Sequence, residues 1–420
     1  MGMQPGLVLK NVSLPGGRVT DISIREGTVA HAGSGALSTE TIDCTNLFVL
    51  PAAVDMHVHM RGGTQSAKED WTSGTKSALA GGVTVVVDQP NTLPPLTTPE
   101  LFRQRVTEAR RGAFVRFAIN SAVTPVTPLE TLWKAGAMAF GETFVAASSY
   151  GDALDKPSLI HSLQRIRTVG AVATVHAEDV TPGLDPDLIS HDTLRSPAGE
   201  LRAINFVSRC NTTHCRLHFC HLSTAASVEA ATGSVEVTPH HLFLSREQFK
   251  DDDSFVKVNP PLRDEHERRK LWSQWNQIDV IASDHAPHTL REKRTSFANA
   301  PSGIPGVETM IPLLLAEVMN NKISLTDVIK KTSLAPATIL GVPAAGFSPG
   351  NRADFALYPK EITRIDPDTL HSKCGWTPFA GHPAVFPTRV IMNGTIVYDN
   401  GEFFKQEPVW IPGKGYRGNS

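Results

Sequence analysis

Cysteine is scarce and shows no pairing pattern: Cys44, Cys210, Cys215, Cys220 and Cys374 are odd in number and form no CxxC. This argues against a disulfide framework and for reduced thiols. A charge of one sign is missing too. Forty Lys and Arg face 42 Asp and Glu, for a formal net charge of -2 and a pI near 6.8. No global field then draws the chain to nucleic acid or to an anionic membrane, and a charged ligand has to be recognised locally. Long apolar runs are absent: Ile311 to Val318 is broken by Pro312 and Glu317 and falls far short of the ~20 residues that span a bilayer. The N-terminus, MGMQPGLVLKNVSLPGG, has neither a secretory leader nor transit-peptide composition, so a cytoplasmic protein is expected. Internal repeats and low-complexity segments are also missing.

At 420 residues the chain suggests two domains, or one large α/β barrel with an appendage. Residues 1–50 alternate apolar and polar positions between Gly-rich turns: LVLKNVSL, VTDISIREG, VAHAG and LFVL. That pattern predicts short, half-buried antiparallel strands. From residue 53 the rhythm changes to buried runs followed by loops and helical patterns. These are 53–60, 82–89, 115–123, 136–142, 171–178, 216–222, 235–241 and 280–286. Eight such runs predict a (β/α)8 TIM-type barrel over 51–344. After the helical stretch 306–321 and a Ser324-x-x-Asp327 helix start, β character returns in 350–359 and 389–401. Segment 345–420 is therefore expected to complete, with 1–50, a small discontinuous β-sandwich.

The chemistry gathers at the C-terminal ends of the barrel runs, where such folds build their sites. In PAAVDMHVHMR, His57 and His59 share one face of an extended strand and can offer two imidazoles to one ion. The pair alone does not separate a metal ligand from two hydrogen-bonded histidines. On the same rim stand Asn91, Glu142, His176, Glu178, His221, Glu236, His240, Asp284 and His288. Of these, His57, His59, His176, His221 and Asp284 form a nitrogen and carboxylate set suited to Zn²⁺ or a similar ion. A metal at an open site activates water near neutral pH, so hydrolysis or its reverse is the expected reaction class.

HVHMR, KEDWTSGTKSALAGGVTVVVDQPNT, TVHAE, FCHLS, EVTPHHLFLS, KVNPPLR, ASDHAPHT and SGIPGVETMIPLLL together resemble the amidohydrolase superfamily, and within it the dihydroorotase family, over about 48–340. The resemblance implies reversible conversion between dihydroorotate and N-carbamoyl-L-aspartate in pyrimidine biosynthesis, with one or two Zn²⁺ ions. Asp284 would be both a metal ligand and the general base and acid. Arg61, Asn91, Asn259 and His288 would contact substrate, with the backbone near Pro305 lining the ring. Cys220 and Glu236 match residues that hold an additional metal in some relatives. The alternatives are a buried thiol for Cys220 and a group orienting a histidine for Glu236. An allantoinase or hydantoinase, or a non-catalytic subunit supporting aspartate transcarbamoylase, are the competing readings. A homodimer and association with aspartate transcarbamoylase stay open.

One departure falls at the centre of the site. Many relatives carry a carboxylated lysine on strand 4 that bridges two metals; here that position is Ala137, and Lys134 lies three residues earlier. Glu142 is the candidate bridge, although parity puts it opposite 137, 139 and 141 unless the strand end is irregular. Otherwise Glu142 opens a lid over 142–155, with Thr143 and Phe144 covering substrate.

Overall fold

The protein is described by a computed structural model over residues 6–33, 40–146 and 153–418. β1 (Leu7–Ser13), β2 (Val19–Arg25) and β3 (Thr28–Ala32) form the expected antiparallel meander, and β4 (Glu40–Asp43), absent from the sequence reading, pairs parallel to β1. β5 (Leu47–Pro51) leaves this sheet for another.

The apolar runs that follow become parallel strands. In order they are β6 (Ala53–Val58), β7 (Val83–Asp88), β8 (Arg116–Ile119), β9 (Phe140–Phe144), β10 (Val172–His176), β11 (Arg216–Phe219), β12 (Ser234–Val237) and β13 (Val280–Ile281). Parallel pairing runs β6-β7-β8 and β9-β10-β11-β12-β13. Parallel bridges Ser121↔Phe140 and Val58↔His285 join the two groups at both ends, so the strand order returns to its start. Helices between the strands begin at short polar caps. Asp70, for example, accepts from the backbone N–H of Thr72 and Ser73 and opens the helix Trp71–Ala80. The fourth strand starts at Phe140 rather than at Gly136. Gly136, at φ +107°, closes the helix Leu129–Ala135 with a left-handed cap and delays the strand.

β14 (Phe355–Pro359) pairs antiparallel with both β5 and β17, which brings early and late segments of the chain into one sheet. The short β15 (Thr363–Arg364) and β16 (Pro383–Ala384) pair with each other. β17 (Arg389–Met392), β18 (Thr395–Asp399) and β19 (Glu402–Phe403) complete the sheet through the turns at Asn393-Gly394 and Asn400-Gly401. Both sheets contribute to one apolar cluster, Leu9, Ile22, Ile24 and Val29 meeting Val49, Phe355, Leu357 and Ile391. Segment 363–386 instead packs on the strand rim, where Ile365, Trp376, Phe379 and Ala384 join Leu244, Val256 and Leu313.

A buried ion pair ties the ring to that second sheet. Arg116 of β8 donates to Asp354 at 2.5 Å, and Asp354 is wholly buried and accepts from the Asn393 N–H at 2.8 Å. Replacing Arg116 with leucine strands a buried carboxylate that keeps, among the described residues, Arg352 as its cationic partner, 3.0 Å away. In urea unfolding, Arg116→Leu is expected to lose about 3 kcal/mol, the low end of what removing one member of a buried pair costs. An unchanged midpoint would contradict the role given to the pair.

Candidate metal centre and substrate cavity

The polar side chains singled out in the sequence converge on one rim of the ring. His57 is the penultimate residue of β6, with His59 and Arg61 beyond the strand, His176 ends β10, His221 follows β11 and Asp284 follows β13. Arg61, His221 and Asp284 have φ of +47°, +36° and +44°, a left-handed backbone that costs a non-glycine residue free energy and clusters at functional sites. Glu142 reaches the same centre because β9 is irregular there. Phe140 faces Ala173 and Thr143 faces Val175, so β9 carries one residue more than β10 over that step. Gly141, at φ +129°, occupies the bulge, and a Cβ there would collide with the Thr174 carbonyl. The parity objection to Glu142 is removed by that extra residue.

Glu142 Oε1 lies 3.2 Å from His221 Nε2, 3.3 Å from His176 Nδ1 and 3.6 Å from His57 Nε2, and Glu142 Oε2 lies 4.0 Å from His59 Nε2. Asp284 Oδ1 is 3.1 Å from His59 Nε2 and 3.5 Å from His57 Nε2. Among the described residues, His57 Nε2 is buried with no hydrogen-bond partner, as are His59 Nδ1 and His221 Nδ1. His57, His59 and Asp284 form one compact ligand group, and His57, Glu142 and His221 a second. His57 Nε2, buried without a partner between the Glu142 and Asp284 carboxylates, fits a donor to a divalent cation.

The outer ring nitrogens of His57 and His176 are held by carboxylates. His57 Nδ1 faces Glu236 Oε1 at 2.9 Å, and His176 Nε2 faces Glu178 Oε2 at 2.6 Å. Each contact directs the opposite nitrogen to the centre, the arrangement by which outer carboxylates orient metal-binding histidines. Glu236 also faces His218 Nε2 at 3.0 Å and accepts from the His221 backbone N–H at 3.0 Å. A third group of metal-binding type, His57, Cys220 and Glu236, therefore has its carboxylate already engaged. Burial pushes the Cys220 thiol up to about 12 and keeps it protonated. Burial opposes ionisation of Glu178, but Arg195 at 2.6 Å and His176 bring it down to about 2. Against the same burial cost, His57 and His59 hold Asp284 at about 2. Burial drives His240 down to about 4, so it is neutral.

Beside the ligands opens a cavity of about 510 Å³, lined by His59, Asn91, Glu142, His176, His221 and Asp284 together with Arg61, Asn259 and His288. Burial lowers Arg61 to about 10, still cationic at neutral pH. Its Nε donates to the Pro287 carbonyl at 3.3 Å, and its Nη2 lies 3.3 Å from His288 Nε2. Asn91 Nδ2 donates to Glu142 Oε2 at 3.2 Å, which links a cavity wall to the central carboxylate. Asn259 Oδ1 accepts from Ser302 Oγ at 3.2 Å and faces His191 Nε2 at 3.0 Å. The wall expected near Pro305 is formed by Pro301, Ser302 and Gly303 instead. Phe144 lines the cavity with its ring 4.8 Å from His176, while Thr143 is buried in β9. A lid over 142–155 runs partly through 147–152, outside the described residues. Lys134 lies in the last turn of the helix Leu129–Ala135 and borders a different, outer cavity with Arg110 and Trp410, so no register shift brings it to the centre.

Sequence reasoning missed Lys68, Arg195 and Ser302 on the cavity wall and Lys293 behind it. Lys293 is fully buried, donating to the carbonyls of Lys257 at 3.1 Å and Pro301 at 2.9 Å. It thereby joins the loop bearing Asn259 to the loop bearing Ser302. Lys68 stands in KEDW, directly before the Asp70 helix cap, which was the available signal.

The model of the Amidohydrolase family matches residues 48–397. Curated dihydroorotases are similar along nearly the full chain. That of Methanosarcina acetivorans is 38% identical, covering 91% of this chain and 89% of its own. That of Halobacterium salinarum is 37% identical, covering 93% and 96%. Among solved structures, the L-hydantoinase (dihydropyrimidinase) of Arthrobacter aurescens superimposes with a TM-score of 0.89 at 25% identity, covering 97% of this chain and 99% of that one. The chain belongs to the amidohydrolase family.

Burial lowers Lys293 from 10.5 to about 7 in the folded protein. Between those values the unfolded chain binds more protons than the folded one, so this group makes stability rise with pH from about 7 to about 10.5. Urea unfolding of the wild type is expected to gain more over that range than Lys293→Met, which lacks the titrating amine. Equal gains in the two proteins would contradict the lowered value.

Proposed function

We propose that this amidohydrolase-family chain is a dihydroorotase, interconverting dihydroorotate and N-carbamoyl-L-aspartate in cytoplasmic pyrimidine biosynthesis. The observation that carries the reading is the placement of Arg61 in the wall of a cavity whose floor is the histidine and carboxylate cluster. A guanidinium fork suits the carboxylate that distinguishes this substrate from neutral cyclic amides. Relatives named dihydroorotases over some nine-tenths of the chain support it further.

The reading takes the strand ring as a (β/α)8 catalytic barrel spanning 51–344, flanked by one β-sandwich built from 1–50 and 345–420. It assigns His57, His59 and Asp284 to one zinc-type ion and His176 and His221 to a second, with Glu142 between them. Bound there, such ions would supply Lewis-acid activation of water and of the amide carbonyl. The chain's own residues do the rest. Arg61, Asn91, Asn259 and His288 hold the carboxylate and ring. Asp284, kept ionised, takes a proton from the attacking water and delivers it to the leaving ring nitrogen; in cyclisation it runs in reverse. Glu236 and Glu178 orient His57 and His176, and Cys220 remains a buried thiol.

A purified, metal-loaded preparation is expected to hydrolyse dihydroorotate and cyclise carbamoyl aspartate in preference to hydantoin or allantoin; preference for either neutral ring would contradict the assignment. Asp284→Asn is expected to lose at least about 100-fold in turnover, the scale of a general acid and base. Arg61→Met is expected to raise KM for dihydroorotate at least about tenfold, the scale of a lost charge-assisted bond. If Arg61→Met left KM unchanged, the carboxylate contact would be wrong.

A further inference from the structure

Resting on the dihydroorotase reading, we propose that Lys68 is a positioning residue for substrate recognition: it fixes His288 in the tautomer that carries its proton on Nε2, which leaves the Arg61 fork free for the substrate carboxylate. Lys68 Nζ lies 3.2 Å from His288 Nδ1 and is ion-paired with Glu292 Oε1 at 2.9 Å. An ammonium has hydrogens to donate and no lone pair, so His288 Nδ1 must accept. The proton is then on Nε2, and Nε2–H donates to the Ser302 carbonyl at 3.0 Å, a partner that can only accept. Two independent neighbours demand the same tautomer. Arg61 Nη2, 3.3 Å from Nε2, is in that tautomer a close neighbour that makes no bond to the ring, and its fork stays available. Burial, with Arg61 and Lys68 nearby, holds His288 well below its ordinary value, so the ring stays neutral and its tautomer matters.

The lysine is itself held in place. Glu292 Oε2 accepts from the Thr289 N–H at 3.0 Å and from Thr289 Oγ1 at 2.9 Å, at the start of the helix Leu290–Lys293. Lys68 stands two residues before Asp70, which caps the helix Trp71–Ala80. The relay Glu292, Lys68, His288 thus runs between two helix starts and ends at the cavity wall. Without the lysine, Nδ1 could carry the proton and Nε2 would present a lone pair. Nε2 would then give up the bond to the Ser302 carbonyl and accept from Arg61 instead, occupying part of its fork.

The test combines Lys68→Met and Lys68→Arg, read by ¹⁵N chemical shifts of labelled histidine, with the His288 signals assigned from a His288→Gln variant. Steady-state assays on dihydroorotate and on a neutral cyclic amide accompany them. Lys68→Met is expected to shift His288 Nδ1 toward its protonated form and to raise KM for dihydroorotate about tenfold, the effect of losing one charge-assisted contact. Turnover number and the neutral substrate should change less than about twofold, and Lys68→Arg, which keeps a donor, should restore both the spectrum and KM. An unchanged His288 tautomer in Lys68→Met, or a fall in turnover at constant KM, would overturn the proposal. If the wild type ignored dihydroorotate the functional reading would fail by itself, and the tautomer shift would still decide what Lys68 does.

Discussion

The site depends on one carboxylate being driven into a nest of imidazoles. Glu142 Oε1 sits within 3.6 Å of nitrogens from His57, His176 and His221, side chains at or just past the ends of three different strands of the ring. Burial alone would raise its pKa, yet His57 and the other imidazoles hold it well below the carboxylate range. Such a cluster needs a backbone that can deliver the side chain, and the bulge at Gly141 does so. A regular β9 would turn Glu142 to the opposite face and leave the three histidines without a common anion.

Around that centre, orientation is set from outside. Glu236 and Glu178 hold the outer nitrogens of His57 and His176, and Glu178 is in turn braced by Arg195 at 2.6 Å. The substrate wall follows the same logic, with neutral His288 set between Arg61 and Lys68. The cavity therefore divides into an anionic floor that would bind cations and a cationic wall that suits a carboxylate. A small anionic amide fits both at once.

Much of this was legible in the chain. The HxH spacing, the histidines of TVHAE and FCHLS, and Asp284 in ASDHAPHT lie where a period of two and the ends of buried runs put them. What stayed hidden has physical reasons. The fate of Glu142 turned on a one-residue bulge, which no hydrophobic pattern reports, because the residues at the bulge are buried on both faces. The strand start at Phe140 depended on the left-handed cap at Gly136. The four-residue β4 lay below the length at which alternation is readable. Segment 363–386, included in the expected sandwich portion 345–420, packs on the rim, where Trp376 Nε1 donates to the His288 carbonyl at 2.7 Å. Lys68 reaches His288 across 220 positions of sequence, a contact that only the closed ring creates.

The central claim is that Glu142 takes the place of the bridging group between two ions. Anomalous diffraction at the zinc edge from crystals of the metal-loaded protein tests it most directly. The account predicts two peaks, one beside His57, His59 and Asp284 and one beside His176 and His221, with the Glu142 carboxylate touching both. A single peak, or two with Glu142 turned away from either, would contradict it.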